Sequence, residues 1–180
     1  MDLYNEDYGI EHLDNIVFVD IDGVFNHMNT KCTYKFLKES VDTLNILYDE
    51  FNISLVLSSS WREAYSFGFM QKLFKDNGIK APLIDKTPIV VCQQKQEKSL
   101  LLNEIIDIDE TDNTYIKRDY EIYHWLLLFK PKHFLILDDF KMTEFNLREH
   151  QVLTNFWHID ESKLALSKNN LDECRKILKM

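Results

Sequence analysis

Asp20 and Asp22 stand one residue apart, directly after the apolar run Ile16–Val19 and directly before Gly23. Side chains alternate along an extended segment, so both carboxylates project the same way where the run ends. Paired carboxylates repel and are costly to bury unless a cation or a phosphate-type reaction needs them. Open α/β sheets bind ligands at the carboxyl ends of their strands. The pattern therefore suits a metal-assisted site seeded by Asp20 and Asp22. It also suits a solvated Asp-Ile-Asp-Gly turn, because Asp and Gly are frequent turn residues.

Two more apolar runs end in polar clusters. Ile53–Leu57 runs into Ser58-Ser59-Ser60, and His133–Leu137 runs into Asp138-Asp139. Arg118 lies just upstream of the helical segment that leads into the last of these. Taken singly, each has a plain structural reading: a strand-ending turn, a surface ion pair, a helix cap. Taken together they form a constellation, because parallel strands deliver their carboxyl ends to one rim. The residue types point to phosphoryl chemistry. Carboxylates are hard oxygen ligands that suit Mg²⁺. An Asp can attack phosphorus, and a second carboxyl can protonate the leaving oxygen and later activate water. A serine hydroxyl can bind phosphoryl oxygens, and a guanidinium offsets their charge.

The elements that must place these residues follow from periodicity. A first strand is predicted over about 16–20. Leu37, Val41, Leu44, Tyr48 and Phe51 give helical spacing over about 33–51. A second strand spans 53–57. A helix from Trp61 to Asn77 stops at Gly78, and a short extended piece covers Ala81–Ile84. Residues about 88–117 read as a small insertion: a strand at Ile89–Val91, a helix at Glu97–Ile106 and an acidic loop over 107–113. Asp119 offers an N-cap to a helix that must end by Pro131, and Leu126–Phe129 reads as core. Strands at His133–Leu137 and Val152-Leu153 precede terminal helical structure over about 160–178, broken at Asn169-Asn170. Strands alternating with helices predict an α/β fold with a mostly parallel sheet and helices on both faces.

At 180 residues the chain reads as one domain, preceded by an acidic lead-in over 1–14. That lead-in carries no Lys or Arg, the reverse of a targeting peptide, and no run is long enough to span a membrane. A cytoplasmic location is the expectation. The three cysteines, Cys32, Cys92 and Cys174, are far apart and lack Cys-x-x-Cys spacing, so neither disulfides nor zinc are expected. A net charge of −9 disfavours a broad nucleic-acid-binding surface but leaves room for a small phosphorylated substrate or a nucleic-acid end. The six histidines are scattered. His27 follows the first acidic pair closely, but none is assigned to a metal. Arg62 reads equally as facing substrate or as a salt-bridge partner. Trp61 reads as core or rim packing.

Asp20-Ile21-Asp22-Gly23-Val24, Ser58, Arg118 and Leu137-Asp138-Asp139 resemble, in order, the four motifs of the haloacid dehalogenase (HAD) superfamily. Ser58-Ser59-Ser60-Trp61-Arg62, Lys86-Thr87-Pro88, Arg118-Asp119-Tyr120-Glu121-Ile122 and Ile136-Leu137-Asp138-Asp139 are similar to the HAD domains of Swiss army knife RNA-repair proteins. The resemblance covers about residues 16–155. It implies a Rossmann-like three-layer fold with a minimal cap, and a Mg²⁺-dependent phosphatase. Asp20 would be nucleophile and metal ligand. Asp22 would be general acid and base, with its backbone carbonyl on the metal. Ser58 would bind the phosphoryl group, with Ser59 the register alternative. Arg118 stands where many relatives have Lys. Asp139 is the first choice for the remaining metal ligand, Asp138 lies beside it, and Glu144 could stand behind them. Two readings compete. One is a non-catalytic binding module of the same fold. The other, a kinase, is disfavoured because no GxxxxGK[ST] loop is present.

Overall fold

A computed structural model describes residues 13–29, 34–89, 113–158 and 164–180. Five parallel strands form one sheet in the order β3-β2-β1-β4-β5. They are β1 (Asn15–Val19), β2 (Ser54–Leu57), β3 (Leu83–Lys86), β4 (His133–Asp138) and β5 (Gln151–Leu153). The strands read as near-continuous apolar runs because both faces are covered. Val17, Val19, Leu55, Leu57, Leu135 and Leu137 pack on one side with α1 (Lys38–Phe51), α3 (Phe67–Asp76) and α5 (Leu171–Ile177). Ile16, Phe18, Val56 and Ile136 face α4 (Asn113–Phe129), which contributes Ile122 and Trp125. The short α2 (Trp61–Ala64) follows β2 at its carboxyl end. The expected α/β fold, with a parallel sheet and helices on both faces, is what the chain adopts.

Register brings three motifs abreast. Val19 pairs with Leu57 on one side and Leu137 on the other. The next residues, Asp20, Ser58 and Asp138, therefore reach the carboxyl edge together. The ladder continues one step into the loops: Asp20 N–H donates to Leu137 O, and Ser58 N–H to Val19 O, each at 3.0 Å.

Several boundaries differ from expectation, each for a local reason. The first helix begins at Lys38 because the backbone before it is committed elsewhere. Phe36 N–H donates to Asn77 Oδ1, and Leu37 N–H donates to Phe25 O. The segment expected as one helix over Trp61–Asn77 is two, because the Ser66 side chain accepts the Phe69 N–H and caps α3. The third strand sits two residues later than expected. Arg118 and Asp119 lie inside α4 rather than before it, so Asp119 is not an N-cap. That helix stops at Phe129, ahead of Pro131. Leu127 and Leu128 are exposed, correcting the reading of that run as core. Ile122, Trp125, Leu126 and Phe129 form the inward stripe, which leaves Leu127 and Leu128 on the far side. The strand expected at 89–91, the helix at 97–106 and the acidic loop lie outside the described residues, apart from Ile89 and Asn113. Among the described residues no helix is long and apolar enough to cross a membrane.

One buried ion pair ties the two sides of the sheet together. Arg62, on α2, pairs with Glu121, on α4, and both side chains are almost wholly buried. The guanidinium also donates to the carbonyls of Ser58, Ser59 and Thr87. The salt-bridge reading of Arg62 is therefore the one realised. Removing one partner leaves an uncompensated buried charge. Glu121→Gln is expected to lower unfolding free energy by about 3 kcal/mol, measured by chemical denaturation. A loss below about 1 kcal/mol would show that the pair is not needed for stability.

Candidate active site

The site is built at the carboxyl edge of β1, β2 and β4. Asp20, first beyond β1, is 3% exposed. One of its oxygens accepts the Ile21 N–H at 2.7 Å, which fixes the carboxylate plane. The other accepts from Arg118 Nη1 at 2.6 Å. The same nitrogen donates to Asp138 Oδ2 at 2.8 Å. Asp138, the last residue of β4, is fully buried, and its Oδ1 accepts the Phe140 N–H at 2.8 Å. One guanidinium thus bridges two acids that stand on neighbouring strands.

One ligand oxygen from each of Asp20, Asp138 and Asp139 lies within 4.8 Å of the others. Hard oxygen donors gathered this closely fit a divalent cation such as Mg²⁺ or Ca²⁺. Both Asp138 and Asp139 are therefore placed to contribute, as the sequence had left open. The electrostatics agree. Burial raises the Asp138 pKa, with Arg118 opposing and Asp20 adding to the rise. Burial, then Asp20, pushes the Asp139 carboxyl up to about 6. Burial also works against the Arg118 charge, yet Asp20 and Asp138 more than offset it and raise its pKa further.

Gly23 lets Asp139 approach. Its φ is +79°, in the left-handed region, and a Cβ there would stand 2.5 Å from the Asp139 Cβ. Asp22 sits outside the three-acid cluster. Its side chain is half-buried and turned to neutral donors: Asn26 Nδ2 donates to Oδ1 at 2.8 Å, and Trp61 Nε1 to Oδ2 at 2.9 Å.

The serines separate clearly. Ser58 is fully buried, and its hydroxyl has no hydrogen-bond partner among the described residues. An orphaned hydroxyl at a strand end beside Asp20 is suited to a phosphoryl oxygen. Ser59 is also buried, but its Oγ accepts the Trp61 N–H at 3.4 Å and so helps shape the turn. Of the two, Ser58 is the one whose hydroxyl is left without a partner among the described residues.

Other residues noted in the sequence lie off the cluster. His27 Nδ1 accepts the Asn29 N–H, a bond within its own loop. Glu144 is exposed, and its backbone N–H is held by Asp119. Asp119 proves more useful than a cap: its Oδ2 accepts N–H groups from both Thr143 and Glu144 at 2.8 Å, which pins the loop after β4. Gln151 pins the same loop from β5, donating to Phe140 O and accepting from Met142 N–H. Asn26, Gln151 and the polar role of Trp61 escaped the sequence reading. Their signal is weak, since each acts through one neutral group that pattern alone cannot orient.

Residues 16–158 match the family described as the HAD domain in Swiss Army Knife RNA repair proteins. Comparison with curated proteins gives no match, and comparison with solved structures gives none either.

The raised Asp139 pKa has a stability consequence with a definite sign. The native state holds this proton more tightly than the unfolded chain, so the carboxyl costs stability as pH rises from about 4 through about 6. Asp139→Asn cannot ionise. Without divalent cations it should melt with wild type near about pH 4 and be more stable by about 1 kcal/mol at about pH 7, allowing for solvent screening. Thermal melts at both pH values check this; a wild-type advantage at the higher pH would contradict it.

Proposed function

The chain belongs to the HAD domains of Swiss Army Knife RNA-repair proteins, and from that premise we propose that it is a Mg²⁺-dependent phosphomonoester hydrolase working through an aspartyl-phosphate on Asp20. The observation that carries this reading is the Arg118 bridge between Asp20 and Asp138 at the ends of adjacent strands. It gives the nucleophile a fixed direction, and it puts a positive charge where a phosphoryl group must approach.

Asp20, Asp138 and Asp139, with the Asp22 backbone carbonyl, would hold the metal. Mg²⁺, when bound, supplies charge that offsets repulsion between carboxylate and phosphate. This chain's own residues do the rest. An Asp20 oxygen attacks phosphorus, and the ester P–O bond breaks. Asp22 gives its proton to the departing oxygen, which leaves as an alcohol. Asp22 then takes a proton from water as that water attacks the phosphoaspartate, and inorganic phosphate is released with Asp20 restored. Ser58 Oγ–H donates to a phosphoryl oxygen during both steps. Arg118 stays fixed between the acids and stabilises the charge that develops on the transferring group.

The substrate proposed is a nucleotide or nucleic-acid-end phosphate. The family description supports it, and the net charge of −9 argues for holding the end alone rather than a long polyanion. A cavity of about 340 Å³ lined by Asp22, Ser60, Trp61, Ala64 and Tyr65 leaves room beside the site for the group that carries the phosphate.

Wild type should release phosphate from an aryl phosphate and from a phosphorylated oligonucleotide only when Mg²⁺ is present. Asp20→Asn should lower kcat by at least about a thousandfold. A wild type that is silent over a broad phosphomonoester panel would sink the reading. Ser58→Ala should lower kcat/KM by roughly tenfold or more, the worth of one hydrogen bond to a charged group. Its melting temperature should hardly move, because that hydroxyl satisfies no partner among the described residues.

A further inference from the structure

Asp22 is held unlike the other acids at the site. Each of its oxygens receives one neutral N–H, from buried Asn26 and from the Trp61 indole. Two donors on opposite oxygens fix the carboxyl plane. Both donors are neutral N–H groups. Each oxygen keeps a second lone pair for that proton.

The indole is itself held on two sides. Trp61 opens α2 immediately after the Ser58–Ser60 turn, and Arg62 behind it binds the carbonyls of Ser58 and Ser59. Tyr65 and Tyr34 pack against the ring at centroid distances of 5.4 and 5.9 Å. The indole therefore cannot swing without breaking ring contacts. Trp61 and Asp22 both line the same cavity of about 340 Å³, so a group entering there lies against the pair.

We propose that Trp61 is a positioning residue for Asp22: it aims the carboxyl into this cavity so that the leaving oxygen is protonated as the P–O bond breaks. This rests on the phosphatase reading above. It goes beyond it by giving a half-buried tryptophan a role in the leaving-group step rather than in packing.

Leaving-group dependence separates the two roles. An alkyl alcohol needs a proton to depart, whereas a nitrophenolate does not. Trp61→Phe keeps the ring and loses the donor. It should lower kcat/KM for glycerol phosphate by about tenfold and leave that for nitrophenyl phosphate within about twofold of wild type. Asp22→Ala should lose more kcat/KM on glycerol phosphate than on nitrophenyl phosphate, and should lower kcat on both, because hydrolysis of the phosphoaspartate also uses Asp22. Equal losses on both substrates in Trp61→Phe would make Trp61 a packing residue and overturn the proposal, with the phosphatase reading intact. A wild type that hydrolyses neither substrate removes the reading itself, and the proposal with it. A second readout does not depend on turnover. The indole N–H resonance that disappears in Trp61→Phe should move upfield in Asp22→Ala; an unmoved resonance means the bond is not made in solution, which also overturns the proposal.

Discussion

Carboxylates that repel one another are gathered at one sheet edge, and the rest of the structure exists in large part to keep them there. Asp20 and Asp138 come from adjacent strands, so their separation is set by the β1–β4 register and not by loop conformation. Backbone hydrogen bonds carry that register up to the two acids themselves. Arg118 then neutralises part of the charge from the opposite layer. A surface pair of this kind would contribute little. Here the acids are buried and the guanidinium is nearly so, and the Coulomb attraction is correspondingly less screened. The same burial raises the proton affinity of Asp138 and Asp139. An added cation would relieve that cost, which is why a cluster of this composition makes physical sense as a metal site.

Helix α4 is the element that turns the sheet edge into a site. Four of its residues act in different directions within two turns. Arg118 reaches the acids, Asp119 pins the loop after β4, Glu121 neutralises Arg62, and Ile122 enters the core. Spacing on a helix forces this arrangement, since successive residues point about 100° apart. Further along, Trp125 packs edge-on against Phe18 and donates its N–H to Asp85, so the helix is fastened to the sheet by both apolar and polar contacts. The Arg62–Glu121 pair extends this fastening to the serine turn. Movement of α4 would therefore disturb Arg118 and Ser58 together.

The strands and the acid motifs are legible in the sequence because both are dictated by short-range rules. Strands covered on both faces must be continuously apolar, and a pair of aspartates just beyond one must lie at its carboxyl edge. Arg118 was legible as a charge but not as a point inside a helix. Nothing in a local pattern marks where α4 begins when its first turns adjoin an acidic, aperiodic segment. Asp119 illustrates the same limit: an Asp before an apolar run looks like a cap, and only the tertiary approach of Thr143 and Glu144 reveals its other use. Leu127 and Leu128 fail for a simpler reason. A run of four apolar residues overfills one helical face, and two must point outward. The break between α2 and α3 depends on one serine hydroxyl meeting one N–H, a choice that periodicity over Trp61–Asn77 conceals.

Four carboxyls of one type end in three environments, and the environments divide the chemistry among them. Asp20 and Asp138 share a guanidinium, so each has one oxygen committed to Arg118. Asp139 is set by its close approach to Gly23 and by partial burial. Asp22 alone is held by amide and indole N–H groups, which can remain in place whether or not the carboxyl carries a proton. Asp22 also lines the cavity proposed for the leaving group. The proposed reaction must attack, neutralise and protonate within a few ångströms, and so needs acids that behave differently. In this fold the difference comes from the partners each acid is given, and above all from which of them share Arg118.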